Sequence, residues 1–263
     1  MSKRLRELFA QSHASRRALF GPYVTGGYPT PETTVPLLLA MEAGGADLIE
    51  IGMPFTDPLA DGATIQHANQ VAVEQGVTVK DCFAFVREAR ALGLKAPVLL
   101  MGYYNPILSL GEETCALLAH EAGVDGFIVV DLPPEEATGF LAACRANDLS
   151  FVPLVAPTTT TERVAKLAAV ADAFLYVVSV TGTTGNNNIN LGSLPAFLDR
   201  IHGVTELPLG IGFGISSRED VEAVGKIADA AFVGAAIIRA IDAASPDQVI
   251  ERVREYVEDV TGR

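Results

Sequence analysis

The sequence is poor in lysine, histidine and cysteine, and each shortage excludes a class of function. Of 19 basic residues against 32 acidic ones only five are lysines, and the formal charge is −13. No cluster of Lys and Arg is present, so the counterion release that drives nucleic-acid binding has no source, and anionic membrane is excluded as a partner on the same ground. Cys82, Cys115 and Cys144 are odd in number, far apart and set in apolar segments. They read as buried free thiols in a reducing compartment, not as a disulfide framework. No apolar run approaches the roughly 18 residues of a membrane span. The N-terminus mixes Lys3, Arg4, Arg6 and Glu7 with Leu5, Leu8 and Phe9 at helical spacing, unlike a signal peptide. Together these features predict a soluble, cytoplasmic protein.

What is present is a repeated joint. A helical pattern ends in Ala or Gly, an Asp follows, and a short apolar run begins, as at 43–49 and 122–128, with looser copies at 170–175 and 227–232. Short apolar runs bounded this way fall near 19–25, 47–52, 97–102, 126–131, 150–156, 173–179, 207–212 and 230–234. Eight strands alternating with helices are the chain plan of a (β/α)₈ TIM barrel, here with an extra N-terminal helix. The runs are nearly continuous in apolar character, as parallel strands covered on both faces require. An open doubly wound sheet is the alternative, but eight evenly spaced strands favour closure. No Pro/Gly/Ser linker divides the chain, so residues 1–263 are expected to form one domain. The stretch after the second strand and the segment 180–194 are both long. In a barrel such loops lie on the catalytic face.

Function in this architecture sits at the C-terminal strand ends. In the second strand Leu48, Glu50 and Gly52 share one face, while Ile49 and Ile51 must pack under helices. Glu50 therefore points into the barrel, where desolvation raises its pKa and suits it to proton transfer. The competing reading is a structural Glu satisfied by a hydroxyl or an Arg. The following proline-bearing loop brings Asp61, which fits either a second catalytic carboxylate or the N-cap of a helix starting near Ala63. Two acids in different surroundings suit separate acid and base roles. Gly212-Phe213-Gly214 and Gly234-Ala235-Ala236 end the last two strands, where barrel enzymes commonly bind phosphate through backbone N–H groups. No lysine or histidine falls at a strand end, which speaks against a Schiff base and against a histidine-rich metal site. No metal is expected.

The run from Glu50 to Gln66, EIGMPFTDPLADGATIQ, resembles the signature of the tryptophan synthase alpha subunit family. Similar motifs lie at Pro22–Thr25, Tyr103–Pro106, Asp131–Pro133, Thr183–Gly185 and Gly212–Ser216, so the likeness spans nearly the whole chain. The resemblance implies a lyase that cleaves indole-3-glycerol phosphate to indole and glyceraldehyde 3-phosphate. It gives Glu50 the general acid/base role, Asp61 the charge developing at the indole N–H, and Tyr176 the orientation of Glu50. It has Thr184 close over the substrate and bond Asp61. Tyr23, Ile65, Met101, Tyr103 and Phe213 would line the indole pocket, with the phosphate on the amides of Gly185, Gly212, Gly214, Gly234 and Ala235. Asp57 and Pro58 would face a beta subunit in an alpha2-beta2 heterotetramer. Pyridoxal phosphate is expected only in that partner, and no cofactor in this chain.

Three positions depart from the family pattern. Ala235 stands where serine is usual, Tyr28 where an acid is common, and Asn186–Asn190 is uncharged where a basic residue is common. These departures leave open a noncatalytic barrel that only activates a beta-type partner. Another sugar-phosphate barrel enzyme shares the phosphate site, but the missing Lys and His count against many of its members.

Overall fold

The computed structural model describes residues 1–15, 17–179 and 194–263. Strands β1 (Leu19–Thr25), β2 (Ile49–Gly52), β3 (Val98–Gly102) and β4 (Gly126–Val129) follow the expected runs. The run expected as one strand over 150–156 is two short segments, β5 (Ser150–Phe151) and β6 (Leu154–Val155). Pro153 lies between them and has no N–H for a ladder bond. Strands β7 (Leu175–Val178), β8 (Leu209–Gly212) and β9 (Ala230–Val233) complete the set.

All pairings are parallel, in the order β5-β4-β3-β2-β1-β9-β8-β7-β6. The two ends of this order are halves of one barrel strand, because β5 pairs with β4 and β6 with β7. Bonds from Val152 N–H to the Phe127 carbonyl (2.9 Å) and from Tyr176 N–H to the Pro153 carbonyl (3.0 Å) carry the closure across the break. The fold is a (β/α)₈ TIM barrel with a helix added before it.

That first helix, α1 (Lys3–Ser15), precedes α2 (Pro31–Ala43), α3 (Ala63–Glu74) and α4 (Val79–Ala91). The long stretch after β2 thus holds two helices. Next come α5 (Tyr104–Leu110), α6 (Glu112–Ala122), α7 (Thr138–Ala146), α8 (Thr161–Val170) and α9 (Leu194–His202). The chain finishes with α10 (Arg218–Val224), α11 (Ala235–Asp242) and α12 (Val249–Thr261). Among the described residues no helix is long and apolar enough to cross a membrane.

The repeated Asp at the helix-to-strand joint has a common task. Each carboxylate accepts a backbone N–H from the preceding barrel strand: Asp47 from Phe20 (2.9 Å), Asp125 from Val98 (2.9 Å), Asp172 from Phe151 (3.3 Å) and Asp229 from Leu209 (2.8 Å). These bonds lock adjacent strands together at the N-terminal face. Asp125 binds most partners. It is 2% exposed and also accepts from Ser2 (2.6 Å), Arg4 (3.2 Å) and Arg90 (2.8 Å), which ties the chain start to the bottom of the barrel. There Leu5 and Phe9 of α1 enter the barrel interior with Leu19, Leu48, Leu99, Phe174 and Phe232. The bottom is plugged, so only the opposite end can receive a ligand.

Candidate active site

Glu50 stands directly above that apolar plug. Its backbone is in register with Tyr23 on β1 and Leu99 on β3, and its side chain is 1% exposed. Among the described residues its Oε1 is the one buried side-chain polar atom with no hydrogen-bond partner. A structural Glu satisfied at both oxygens is therefore not what the barrel holds. Burial pushes its pKa well above the usual carboxylate range, because desolvation penalises the charged form.

Asp61 arrives from the loop after β2. The N-cap of α3 is Gly62, so the helix-cap reading of Asp61 does not hold. Instead its Oδ2 accepts from the Tyr103 hydroxyl (3.2 Å) and the Asn69 amide (3.4 Å). The Tyr103 oxygen also accepts the Ala60 N–H (2.9 Å), and its ring stacks on Phe55 at 5.1 Å. Asn69 accepts the Phe55 N–H through its side-chain oxygen (3.3 Å). Two side chains thus pin a loop that has little regular structure. Burial raises the Asp61 pKa to about 6, opposed by the Tyr103 hydrogen bond. One cavity thus holds two carboxyls whose pKa values burial raises, Glu50 with an unpartnered oxygen and Asp61 with two hydrogen-bond donors.

Two tyrosines close the space between these acids and the barrel axis. Tyr23 and Tyr176 are 6% and 4% exposed, and each lays its hydroxyl over a glycine on the next strand. A Cβ at Gly52 would overlap the Tyr23 hydroxyl, and one at Gly212 the Tyr176 hydroxyl. Tyr176 stacks on Phe232 (4.9 Å) and meets Phe213 edge-on (6.2 Å). The charge of Glu50 reaches Tyr176 and helps raise its pKa after burial, yet no hydrogen bond joins the two side chains among the described residues. Tyr176 bounds the acid by packing.

The far wall is made of backbone. Phe213 (φ 73°) and Gly214 (φ 78°) are both left-handed, an unfavourable conformation for an aromatic residue. The Ser179 hydroxyl holds the Phe213 carbonyl (2.5 Å) and stabilises the turn. Among the described residues the N–H groups of Gly214 and Ile215 meet no acceptor. Gly234 caps α11, whose first N–H groups, on Ala235 and Ala236, are free as at any helix start. Gly214, Ile215, Gly234 and Ala235 border the same cavity.

Most of the sequence-derived candidates meet in one cavity, open to solvent at its mouth. Tyr23, Glu50, Asp61, Ile65, Met101 and Tyr103 line it. Tyr176, Phe213, Gly214, Gly234 and Ala235 line it as well. Gly212 lies beneath the Tyr176 hydroxyl instead of on the surface of the cavity. Asp57 is exposed and Pro58 half-buried, both outside it. Thr184 and Gly185 lie outside the described residues. The lining residues that were not anticipated include Asn69 and Arg239. Asn69 was detectable as an amide on the buried face of α3, with Ile65, Ala68 and Ala72. Arg239 follows Ala235 by one helical turn.

The sequence matches the family described as Tryptophan synthase alpha chain over residues 9–262. The chain belongs to that family. It is 45% identical to the tryptophan synthase alpha chain of Roseiflexus sp. strain RS-1, over 98% of this chain and 99% of the relative. It is also 44% identical to tryptophan synthase of Saccharomyces cerevisiae over 99% of its own length, but spans only 37% of that larger protein. The fold superposes on tryptophan synthase subunit alpha from Legionella pneumophila with a TM-score of 0.91, at 34% identity, covering 100% of this chain and 98% of the other. As a family member the chain is a lyase of tryptophan biosynthesis that cleaves indole-3-glycerol phosphate. The departures noted in the sequence now have places. Tyr28 is 5% exposed and its hydroxyl donates to Asp242, which ties the loop after β1 to α11. Ala235 keeps the free N–H of the helix start and presents a methyl group to the cavity. Asn186–Asn190 lies outside the described residues.

Proposed function

We propose that Glu50 is the proton carrier of the retro-aldol step and Asp61 its electrostatic complement. The neutral Glu50 carboxyl donates a proton to C3 of the indole. The ring, now cationic, accepts the electron pair of the bond between C3 and the carbinol carbon as that bond breaks. The carbinol hydroxyl gives its proton back to Glu50 and becomes the aldehyde of glyceraldehyde 3-phosphate. One proton enters and one leaves, so the carboxyl is regenerated. The positive charge passes through the indole N–H, and ionised Asp61 stabilises it there. The observation that carries this reading is the unpartnered, buried Glu50 oxygen facing the same cavity as Asp61.

The aromatic and aliphatic walls from Tyr23, Ile65, Met101, Tyr103, Tyr176 and Phe213 receive the indole. Amides at Gly214, Gly234 and Ala235 hold the phosphate, with Gly212 shaping their approach. Thr184 and Gly185 keep the closing and phosphate-binding roles that the resemblance gives them. The chain, acting as one domain in the cytoplasm, carries no cofactor of its own. It docks on a pyridoxal-phosphate-bearing beta subunit as an alpha2-beta2 heterotetramer, through the loop of Asp57 and Pro58. Leu59 on that loop is 85% exposed, which supports a docked state. Purified chain incubated with indole-3-glycerol phosphate is expected to release indole, and more of it when the beta subunit is added. No indole under either condition would overturn the assignment.

A further inference from the structure

Arg239 is the one cationic side chain lining the cavity among the described residues. It lines the same cavity as Gly214, Ser216, Gly234 and Ala235, and as Glu50 and Asp61. On α11 it stands four residues after Ala235, on the same helix face, and helical side chains lean toward the N-terminus. Its guanidinium therefore belongs with the free amides of that helix start.

Two acids of the neighbouring segments are committed elsewhere. Asp220 accepts the N–H groups of Ser216 (2.9 Å) and Ser217 (3.0 Å), and Asp242 accepts the Tyr28 hydroxyl. Tyr256, close enough to feel the Arg239 charge, donates its hydroxyl to the Ser216 carbonyl (2.7 Å). Arg239 makes no ion pair among the described residues. In a chain of net charge −13, a half-buried cation without a carboxylate is an anomaly unless its counter-charge arrives with the ligand. Ala235 offers no side-chain donor at this end, so the amides otherwise act alone.

We infer that Arg239 is a specificity-determining residue for the phosphate end of the substrate. This rests on the lyase reading above, since it needs a substrate with an anionic tail. Arg239 gives the anionic tail of a phosphorylated indole a charged partner that the indole ring does not need. A guanidinium can hold two phosphate oxygens at once, which an ammonium cannot.

The test compares wild type, Arg239→Met and Arg239→Lys in steady-state cleavage, with calorimetric titration of glycerol 3-phosphate, the anionic part of the substrate. Arg239→Met is expected to raise KM and the glycerol 3-phosphate Kd about tenfold each, equivalent to about 1.4 kcal/mol, with kcat changed less than about twofold. Arg239→Lys falls between. The KM for indole in the reverse reaction, where no phosphate is attached to that substrate, stays unchanged. A folded Arg239→Met with KM and Kd both near wild type overturns the inference, as does a loss confined to kcat. If Arg239→Met does not fold, Arg239→Lys alone decides, and unchanged KM and Kd in it count against the inference. Failure of the lyase reading looks different, because wild type would then bind glycerol 3-phosphate without making indole.

Discussion

Replacing Tyr103 by phenylalanine isolates the control of Asp61. The Tyr103 hydroxyl donates to Asp61 Oδ2 at 3.2 Å and accepts the Ala60 N–H at 2.9 Å. The first bond favours the ionised carboxylate and opposes the burial that lifts its pKa to about 6. A hydrogen bond to a charged group contributes roughly 1.5–3 kcal/mol, and a bond as long as this one belongs at the lower end. At about 1.36 kcal/mol per unit, its loss raises the Asp61 pKa by about one unit. If catalysis needs Asp61 ionised, kcat/KM in wild type falls on the acid side near pH 6, and in Tyr103→Phe near pH 7. The substrate phosphate titrates in the same range, with a pKa of about 6, but it does so identically for both proteins. The displacement between the two profiles therefore reports the enzyme. The plateau also drops, because the Ala60 N–H loses its acceptor and the loop loosens. Superimposable acid limbs would refute the reasoning, whatever happens to the plateau.

Asp61 also bears on stability. Its folded pKa lies above the unfolded value, so the stabilising contribution of the neutral form is present below about pH 4 and lost as pH rises through about 6. Asp61→Asn should raise the urea midpoint at pH 7.5, by at most about 3 kcal/mol in unfolding free energy, with no gain at pH 4, while slowing cleavage. Gly212→Ala places a methyl group on the Tyr176 hydroxyl and should cost about 1–3 kcal/mol. Tyr176→Phe in the same chain should recover part of that loss in thermal unfolding. Asp125→Ala leaves Arg90 half-buried without its carboxylate and releases Ser2 and Arg4. A loss of about 3–5 kcal/mol is expected in urea unfolding, with faster amide exchange in α1.

The barrel was legible because its strands are apolar on both faces, and the alternation in β2 alone placed Glu50 inside. The broken fifth strand was not, since Val152 and Pro153 continue the apolar pattern while proline removes a ladder donor. The helix-to-strand Asp could be seen as a repeat, but its acceptor task depends on which strand lies alongside, a tertiary fact. Asp61 was ambiguous for the same reason. A capping residue and a catalytic acid look alike until Tyr103 and Asn69, 42 and 8 residues away, show where its carboxylate points. Arg239 is not legible as a site residue because it sits inside a helix, one turn beyond the strand end that marks the barrel's catalytic face.

Glu50→Gln tests the central claim most directly. The amide keeps the shape and the burial but cannot pass a proton to C3. Indole release from indole-3-glycerol phosphate should fall at least about a hundredfold, the lower range for loss of a general acid, while glycerol 3-phosphate binds as in wild type. Near wild-type indole production by a correctly folded Glu50→Gln protein would contradict the account.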